Sequence, residues 1–306
     1  MKNLSNKALN NAEDVIKKYS RPLDKSILQS EFYSGTTKKI TEELKKYQNE
    51  DGGFGHGIEP DFRLPKSSPM ATSVGLKLLS DLDYTKEAKE MIKKAIGYLE
   101  NTFERHRVGW FAVPKEVNDY IHAPWWHYNE EENMTIIDKN WGNPTAEIIA
   151  YLYKYREYTT RLNIDGLVEY AIKYIENKDE FKSENELYCY IKLYEVLPAQ
   201  LQQRFKSPIT KAINQVIVYD ENRWHEYIPR PIDFVDDPNK YRFGIKEDDI
   251  QRNLDFVINE LEEKGMILPP WGRSFYKGEF NDTYNNWIGL LTLKTLKILQ
   301  NYGRLE

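Results

Sequence analysis

Apolar residues recur along this chain with helical spacing. Ala88, Met91, Ile92, Ala95, Ile96 and Leu99 stand at offsets 0, 3, 4, 7, 8 and 11, and Ile164, Leu167, Val168, Ala171, Ile172 and Ile175 repeat that series. Ile209, Ala212, Ile213, Val216 and Ile217 give its first five positions, and Ile250, Leu254, Val257, Ile258 and Leu261 miss one. Ile40, Leu44 and Tyr47 fit more loosely. Each segment predicts an amphipathic helix with one apolar stripe and a Lys/Glu-rich outer face. Helices of a second kind lie between them. In NNWIGLLTLKTLKILQ, apolar residues leave only a narrow polar stripe through Lys294, Lys297 and Asn301, and PMATSVGLKLL, PTAEIIAYLYKY and NELYCYIKLYEVL are similarly apolar or aromatic. A helix apolar nearly all round is buried on more than one side. Half-buried helices therefore alternate with mostly buried ones, as in two concentric layers.

The intervals agree. Ile40 to Ala88 is 48 residues, Ile164 to Ile209 is 45 and Ile209 to Ile250 is 41, close to the ~40–47 residue helix-pair repeat of helical arrays. Ala88 to Ile164 is 76, and the excess falls in the aromatic segment 109–142. A loop that long inside a domain is usually functional or disordered, and its tryptophans and phenylalanines argue against disorder. Ser68-Pro69 and Asn143-Pro144 each place a capping side chain before a proline at the first helical position. No Gly/Ser-rich linker divides the chain. The expectation is one all-α domain over 1–306, a toroid of about five or six helical hairpins in inner and outer layers.

Composition narrows the function classes. The 43 basic and 48 acidic residues give a net charge of -5 and are interspersed, so no basic stripe suggests nucleic acid. The apolar runs fall short of the ~18 residues of a membrane span, and the N-terminus lacks the apolar core of a secretory signal. Cys189 is alone, which rules out an intrachain disulfide and a thiol-rich metal site. A cytoplasmic protein is expected. Aromatics make up 13% of the chain although mean hydropathy is -0.71; a wide core or an aromatic-lined cavity would use that surface.

Leu44, Gln48, Gly52 and Phe54 read L-x3-Q-x3-G-x-F. This resembles the glutamine–tryptophan motif of squalene–hopene cyclases, with Phe for Trp, and Gly109-Trp110 resembles a degraded copy. Gln48 is placed to bond the last helical carbonyls, and Gly52 and Gly53 to supply left-handed turn geometry. With its helix pattern, the whole chain resembles the α/α-toroid superfamily of terpenoid cyclases and protein prenyltransferase β subunits, and most of all its uncharacterised prenyltransferase-like bacterial branch. The resemblance implies a toroid with a central ligand cavity. The catalytic motifs of that superfamily do not carry over: Asp233-Phe234-Val235-Asp236-Asp237 is one residue too long for D-x-D-D, Asp248-Asp249 is not followed by x-x-D, and Cys189 lacks the Asp-x-Cys context of a zinc ligand.

The candidate chemistry lies in the connections. GGFGHG follows a helix rather than a strand, against the dinucleotide fingerprint, and reads better as a turn. His56, Glu59, Asp61 and Arg63 follow it and offer an acid, a base and a cation, or else a salt-bridged surface loop. In the long loop, Glu116, Asn118, Asp119, His122, Trp125, Trp126 and His127 cluster in sequence. Two histidines five apart do not match the i, i+4 zinc spacing, so no metal is assigned there, and no cofactor is assigned at all. Tryptophans near carboxylates and histidines suit stacking on sugars or isoprenoid chains; the alternative is a hydrophobic plug. NRWHEYIPRPIDFVDDP contributes Trp224, His225, Arg230, Asp233 and Asp237, as a site or as a structural connection, and PPWGRSF adds Trp271 and Arg273 as a further rim element. The expected site has Asp61, Asp119, His56 and His122 as acid–base residues. Glu59, Trp125, Trp126 and Arg230 would be its binding wall, all around one cavity holding a small molecule. The leading expectation is a cyclase- or prenyltransferase-like protein; a carbohydrate-processing enzyme with paired carboxylates and a helical binding scaffold are its rivals.

Overall fold

The computed structural model describes residues 1–306. The chain is all-α. Its helices are α1 (Asn6–Tyr19), α2 (Pro22–Phe32), α3 (Thr37–Leu44), α4 (Pro69–Ser80), α5 (Lys86–Asn101), α6 (Gly142–Lys154), α7 (Ile164–Asn177), α8 (Glu184–Val196), α9 (Ala199–Val216), α10 (Pro231–Phe234), α11 (Glu247–Lys264) and α12 (Asn281–Asn301). Extended pairing is limited to isolated bridges. No helix is long and apolar enough to cross a membrane. Contacts divide the chain into two compact units, one of residues 44–216 and one of residues 1–43 with 217–306.

In the unit 44–216, every apolar position of the stripes on α5 and α7 is buried. The predicted inner helices α4, α6 and α8 are direct neighbours in that order, and α5, α7 and α9 pack against them. The inner three run parallel. Gly142 at the start of α6 meets Glu186 and Tyr190 of α8, and further along both helices Lys192 of α8 reaches Tyr151 of α6. At the far ends, Lys154 and Tyr155 both reach Asp83, just beyond α4, at 2.8 and 3.0 Å. Parallel inner helices joined through outer ones bring the starts of α4, α6 and α8 to one end of this unit, where the connections 52–68 and 109–142 lie. Ser68 caps α4 as expected, its Oγ accepting from Ala71 N–H at 3.1 Å. Asn143 does not cap α6. It keeps an extended backbone, but its Oδ1 faces Cys189 Sγ at 3.9 Å across the α6–α8 seam, and the peptide before Pro144 is cis.

Met70 and Val74 of α4 are half-buried rather than buried, whereas Ile148, Leu152 and Ile191 are in the core. Lys89, Lys93 and Lys173 are exposed, as an outer face requires.

The second unit contains two helices that the repeat pattern does not announce, α1 and α2. α1 begins at Ser5, whose Oγ accepts from Ala8 N–H, and buries Ala8, Ala12 and Ile16; these are too sparse to continue the six-position series. α12 lies against α1 and α2, and α11 against α1 and α10. The stripe of α11 is fully buried and the helix ends on Gly265 at φ 67°, a left-handed cap. The two chain ends meet in this unit: Leu4 bridges Leu305, Ser5 N–H and Oγ bond Glu262, and Arg304 bonds the Lys2 carbonyl, Gln251 and Asp255.

Candidate functional site

The opening motif of the unit 44–216 is a turn whose polar groups are already engaged. Gln48 Nε2 bonds the carbonyls of Gly52 at 2.9 Å and of Met91 at 3.0 Å. It therefore clamps its own turn to α5 instead of closing the carbonyls of the helix before it. Gly52 sits at φ 90°, where a Cβ would meet the Lys94 carbonyl oxygen at 2.4 Å. Gly53 does not supply left-handed geometry; it is needed because a Cβ would strike Ser67 and Tyr98. Asp51 Oδ1 accepts from Gly53 N–H and Ser67 Oγ, and Asn49 Nδ2 donates to the Pro65 carbonyl and Ser67 Oγ. The N–H groups of Gly52, Phe54, Gly55 and His56 donate to Asn49 O, Thr72 Oγ1, Tyr47 O and Leu64 O. A loop whose N–H groups are spent this way has none to turn toward a phosphate.

The GF and GW sites share a device. Phe54 N–H donates to Thr72 Oγ1 of α4 at 3.0 Å, and Trp110 N–H donates to Thr145 Oγ1 of α6 at 3.2 Å. Phe54 packs its ring on Gly75, and Trp110 sends its indole N–H to the Leu99 carbonyl at the end of α5. In the other unit Ile267 N–H donates to Thr292 Oγ1 of α12 at 3.0 Å. A buried threonine hydroxyl on α4, α6 and α12 thus fixes a segment of the chain that precedes the helix, in both units. The third case carries no aromatic at the equivalent place, which is why motif reading passes it over.

The structure joins the two connections in which the expected acid–base residues lie. Phe62 and His122 form a bridge, Arg63 N–H donates to the Ile121 carbonyl at 2.8 Å, and Ala123 N–H donates to the Asp61 carbonyl at 2.7 Å. Trp126 packs edge to face on Phe62 with ring centroids 5.1 Å apart, and its buried Nε1–H has no partner. The side chains occupy different environments. Asp61 is buried, Asp119 and His56 are exposed, and Glu59, His122 and Trp125 are half-buried. His56, at φ 56°, holds Asn49 Oδ1 through Nε2 at 2.8 Å. His122 bonds the Tyr120 carbonyl through Nδ1 at 2.7 Å, and its Nε2 meets His127 Nδ1 at 3.3 Å. The i, i+4 zinc spacing applies to a helix, and these two histidines are not on one. They flank a single 3-10 turn, Pro124–Trp126, which brings residues five apart together. A depression of 390 Å3 in this unit is lined by Gln48, Asn49, Glu87, Glu90, Lys45 and Lys94 among others, and is charged rather than aromatic.

Arg230 belongs to the other unit. Its main-chain N–H and its guanidinium both bond Asp233, at 3.0 and 3.3 Å, and it reaches the Trp224 carbonyl at 3.5 Å. Trp224 is itself buried, its indole bonded to the Val218 carbonyl. In 222–238, Arg230 thus clamps a proline-rich connection through Asp233 and the Trp224 carbonyl.

Two groupings escape the sequence reading. Across the α6–α8 seam, Cys189 Sγ faces Asn143 Oδ1 and Glu147 Oε2, and Tyr151 donates to Glu147 at 2.8 Å. Burial pushes the Cys189 thiol well up, so it stays a protonated donor rather than a nucleophile. In the other unit, aromatic rings form an array. Tyr227 meets Trp271 edge to face at 5.7 Å, Trp271 meets Trp287 at 5.1 Å, and Trp271 Nε1 donates to Tyr276 Oη at 2.7 Å. Tyr276 contacts Phe280 and Tyr284, and Arg273 lies over Tyr284 at 5.5 Å. Tyr284 and Trp287 lie on α12, whereas Tyr276 and Phe280 precede it, so only part of the array follows a helical spacing. The chain matches no protein-family model, no curated protein and no solved structure.

Proposed function

We propose that this protein binds a small, largely apolar ligand and belongs with the α/α-toroid proteins of the terpenoid cyclase and prenyltransferase type. The aromatic array of 217–306 carries the reading. Trp271 and Trp287 are half-buried and Tyr227 is 55% exposed. Leu290 and Leu291 follow Trp287 on α12 and are half-buried too, so an apolar strip continues along the helix at offsets of three and four. Contiguous apolar surface of this kind marks interaction sites on soluble domains, and rigid aromatic rings lose little freedom on binding. Arg273 at the edge of the array bonds Asn281 Oδ1 through Nε and Nη2 at 3.1 and 2.6 Å. With five donors on a planar cation it is suited to an anionic head group. An apolar chain with a charged head is the chemistry of an isoprenyl diphosphate.

The parallel, alternating hairpins of 44–216, with the same threonine device at the entries to α4 and α6, support the family assignment. The array supports binding and no particular reaction: Asp61 and Asp119, expected as acid–base residues, stand in a buried and an exposed environment.

Intrinsic tryptophan fluorescence tests the reading, with farnesyl diphosphate titrated into the full chain and maltohexaose run in parallel. A saturable change is expected with farnesyl diphosphate, weakened about tenfold or more by Trp271→Ala as for a central aromatic anchor, and weakened also by Arg273→Ala. A saturable response to maltohexaose alone would transfer the site to the carbohydrate reading. No response to either ligand would overturn it.

A further inference from the structure

We propose that His122 and His127 form a two-histidine site for zinc or a zinc-like divalent ion. Their facing nitrogens, Nε2 of His122 and Nδ1 of His127, are 3.3 Å apart. Two nitrogens held at ~2.0–2.1 Å from a tetrahedral ion stand about 3.3 Å from each other. The tautomer of His122 is also set. The Tyr120 carbonyl oxygen, 2.7 Å from Nδ1, can only accept. Nδ1 therefore carries the proton and Nε2 presents its lone pair. A backbone carbonyl on the outer nitrogen is the usual support of a metal-bound histidine.

The pair has a defined state without an ion. The rings lie within 16° of parallel with centroids 5.5 Å apart. That separation exceeds the N···N distance by about two ring radii, so the nitrogens face one another and His127 Nδ1–H donates to His122 Nε2. An ion takes the place of that shared proton. The exposed His127 ring turns slightly, its proton passes through solvent from Nδ1 to the outer Nε2, and both facing nitrogens then donate lone pairs. From the neutral pair no proton is released, while a protonated ring must lose its extra proton first.

The backbone holds both donors without the metal. The turn Pro124–Trp126 sets their spacing, Ala123 N–H is tied to the Asp61 carbonyl, and Trp126 is anchored on Phe62. No third histidine, cysteine or carboxylate joins them. Two protein donors leave coordination positions for water or for an oxygen or nitrogen of a bound molecule, which is the open form of site rather than the closed structural one. Imidazole donors suit zinc, copper and nickel and disfavour magnesium and calcium.

Isothermal titration of the full chain, free of any polyhistidine tag, with zinc chloride alone tests the proposal. One zinc per chain is expected at about pH 7.5. His127→Ala should weaken binding by about tenfold or more. Its exposed ring makes it unlike a core change, so its melting temperature should stay with that of the parent. The combined variant His56→Ala, His106→Ala, His225→Ala removes the other three histidines and should bind as the parent does. Unchanged affinity in His127→Ala, loss of binding in the combined variant, or no heat with zinc at ~1 mM would each overturn the site and leave the pair as a hydrogen bond only.

Discussion

The two units bury similar helices by different means. In 44–216 the bonds that fix one hairpin to the next join neighbours in the repeat: Gln48 to Met91, Trp110 to Leu99 and Thr145, Gly142 to Glu186. In the unit made from the chain's two ends, the corresponding work is done across the whole sequence, by Ser5 on Glu262 and Arg304 on the Lys2 carbonyl. A repeat that closes on its neighbours leaves a sequence period. A closure between residues more than 250 apart leaves none, and needs only a few well-placed polar groups.

That contrast can be broken most sharply at Trp110. The side chain is fully buried, packs edge to face on Phe103 and bonds the Leu99 carbonyl. Trp110→Ala is expected to cost ~3–5 kcal/mol, as for a large buried aromatic, read as a fall in the urea midpoint. A loss under ~1 kcal/mol would show that the GW site is not a joint.

The long-range closure comes next. Arg304 is 2% exposed and its guanidinium serves the Lys2 carbonyl, Gln251 and Asp255. Arg304→Ala leaves those acceptors unmatched, and with Asp255 partly in solvent the expected loss is ~2–3 kcal/mol. Hydrogen exchange should show α1 opening more readily in this variant. Protection of α1 equal to the parent's would mean that burial of Ala8, Ala12 and Ile16 holds the helix without the clamp.

The shared threonine device sharpens the comparison. Thr145→Val strands the Trp110 N–H, and Thr292→Val strands the Ile267 N–H, each at nearly constant volume. An unmatched buried donor costs ~1–3 kcal/mol. Similar losses in both variants are expected from chemical denaturation; a loss confined to one would limit the device to that unit.

The smallest effect concerns pH. Burial alone would raise the Asp83 pKa, but hydrogen bonds from Lys154 and Tyr155 outweigh it and hold the carboxyl below its ordinary range. The folded state thus prefers the carboxylate, so the stabilisation is present at neutral pH and is lost as pH falls below the usual aspartate value of ~4. Asp83→Asn should lower the denaturation midpoint at pH 7, with the gap closing in acid. A gap that persists or widens in acid would show that the carboxylate is not what joins the ends of α4 and α6.

The helix stripes were legible because a buried face imposes a period on apolar residues, and α5, α7 and α11 follow theirs without exception. The cap at Ser68 was legible for a local reason: its Oγ needs only a neighbour three residues on. Asn143 carried the same local signal and was diverted, because Cys189 of α8 lies across the seam. Gln48 shows the same limit, since its second acceptor, Met91, lies 43 residues away. Among the candidate site residues, sequence placed the histidines, acids and tryptophans in the two connections that the structure joins through Phe62 and His122. It could not say that Asp61 is buried while Asp119 is exposed, nor that Arg230 is spent on Asp233.

By itself the sequence determined an all-α chain, its repeated outer helices and the turn at Gly52, all set by interactions within a few residues or by a periodic face. Tertiary structure alone decided the rest. It chose the partners of Asn143, Gln48 and Arg304, the edge-to-face meeting of Tyr227, Trp271 and Trp287, and the 3.3 Å approach of His122 to His127. The physical reason is that a side chain's type fixes which bonds it can make, whereas its supply of partners depends on which distant backbone or ring the packing brings within reach.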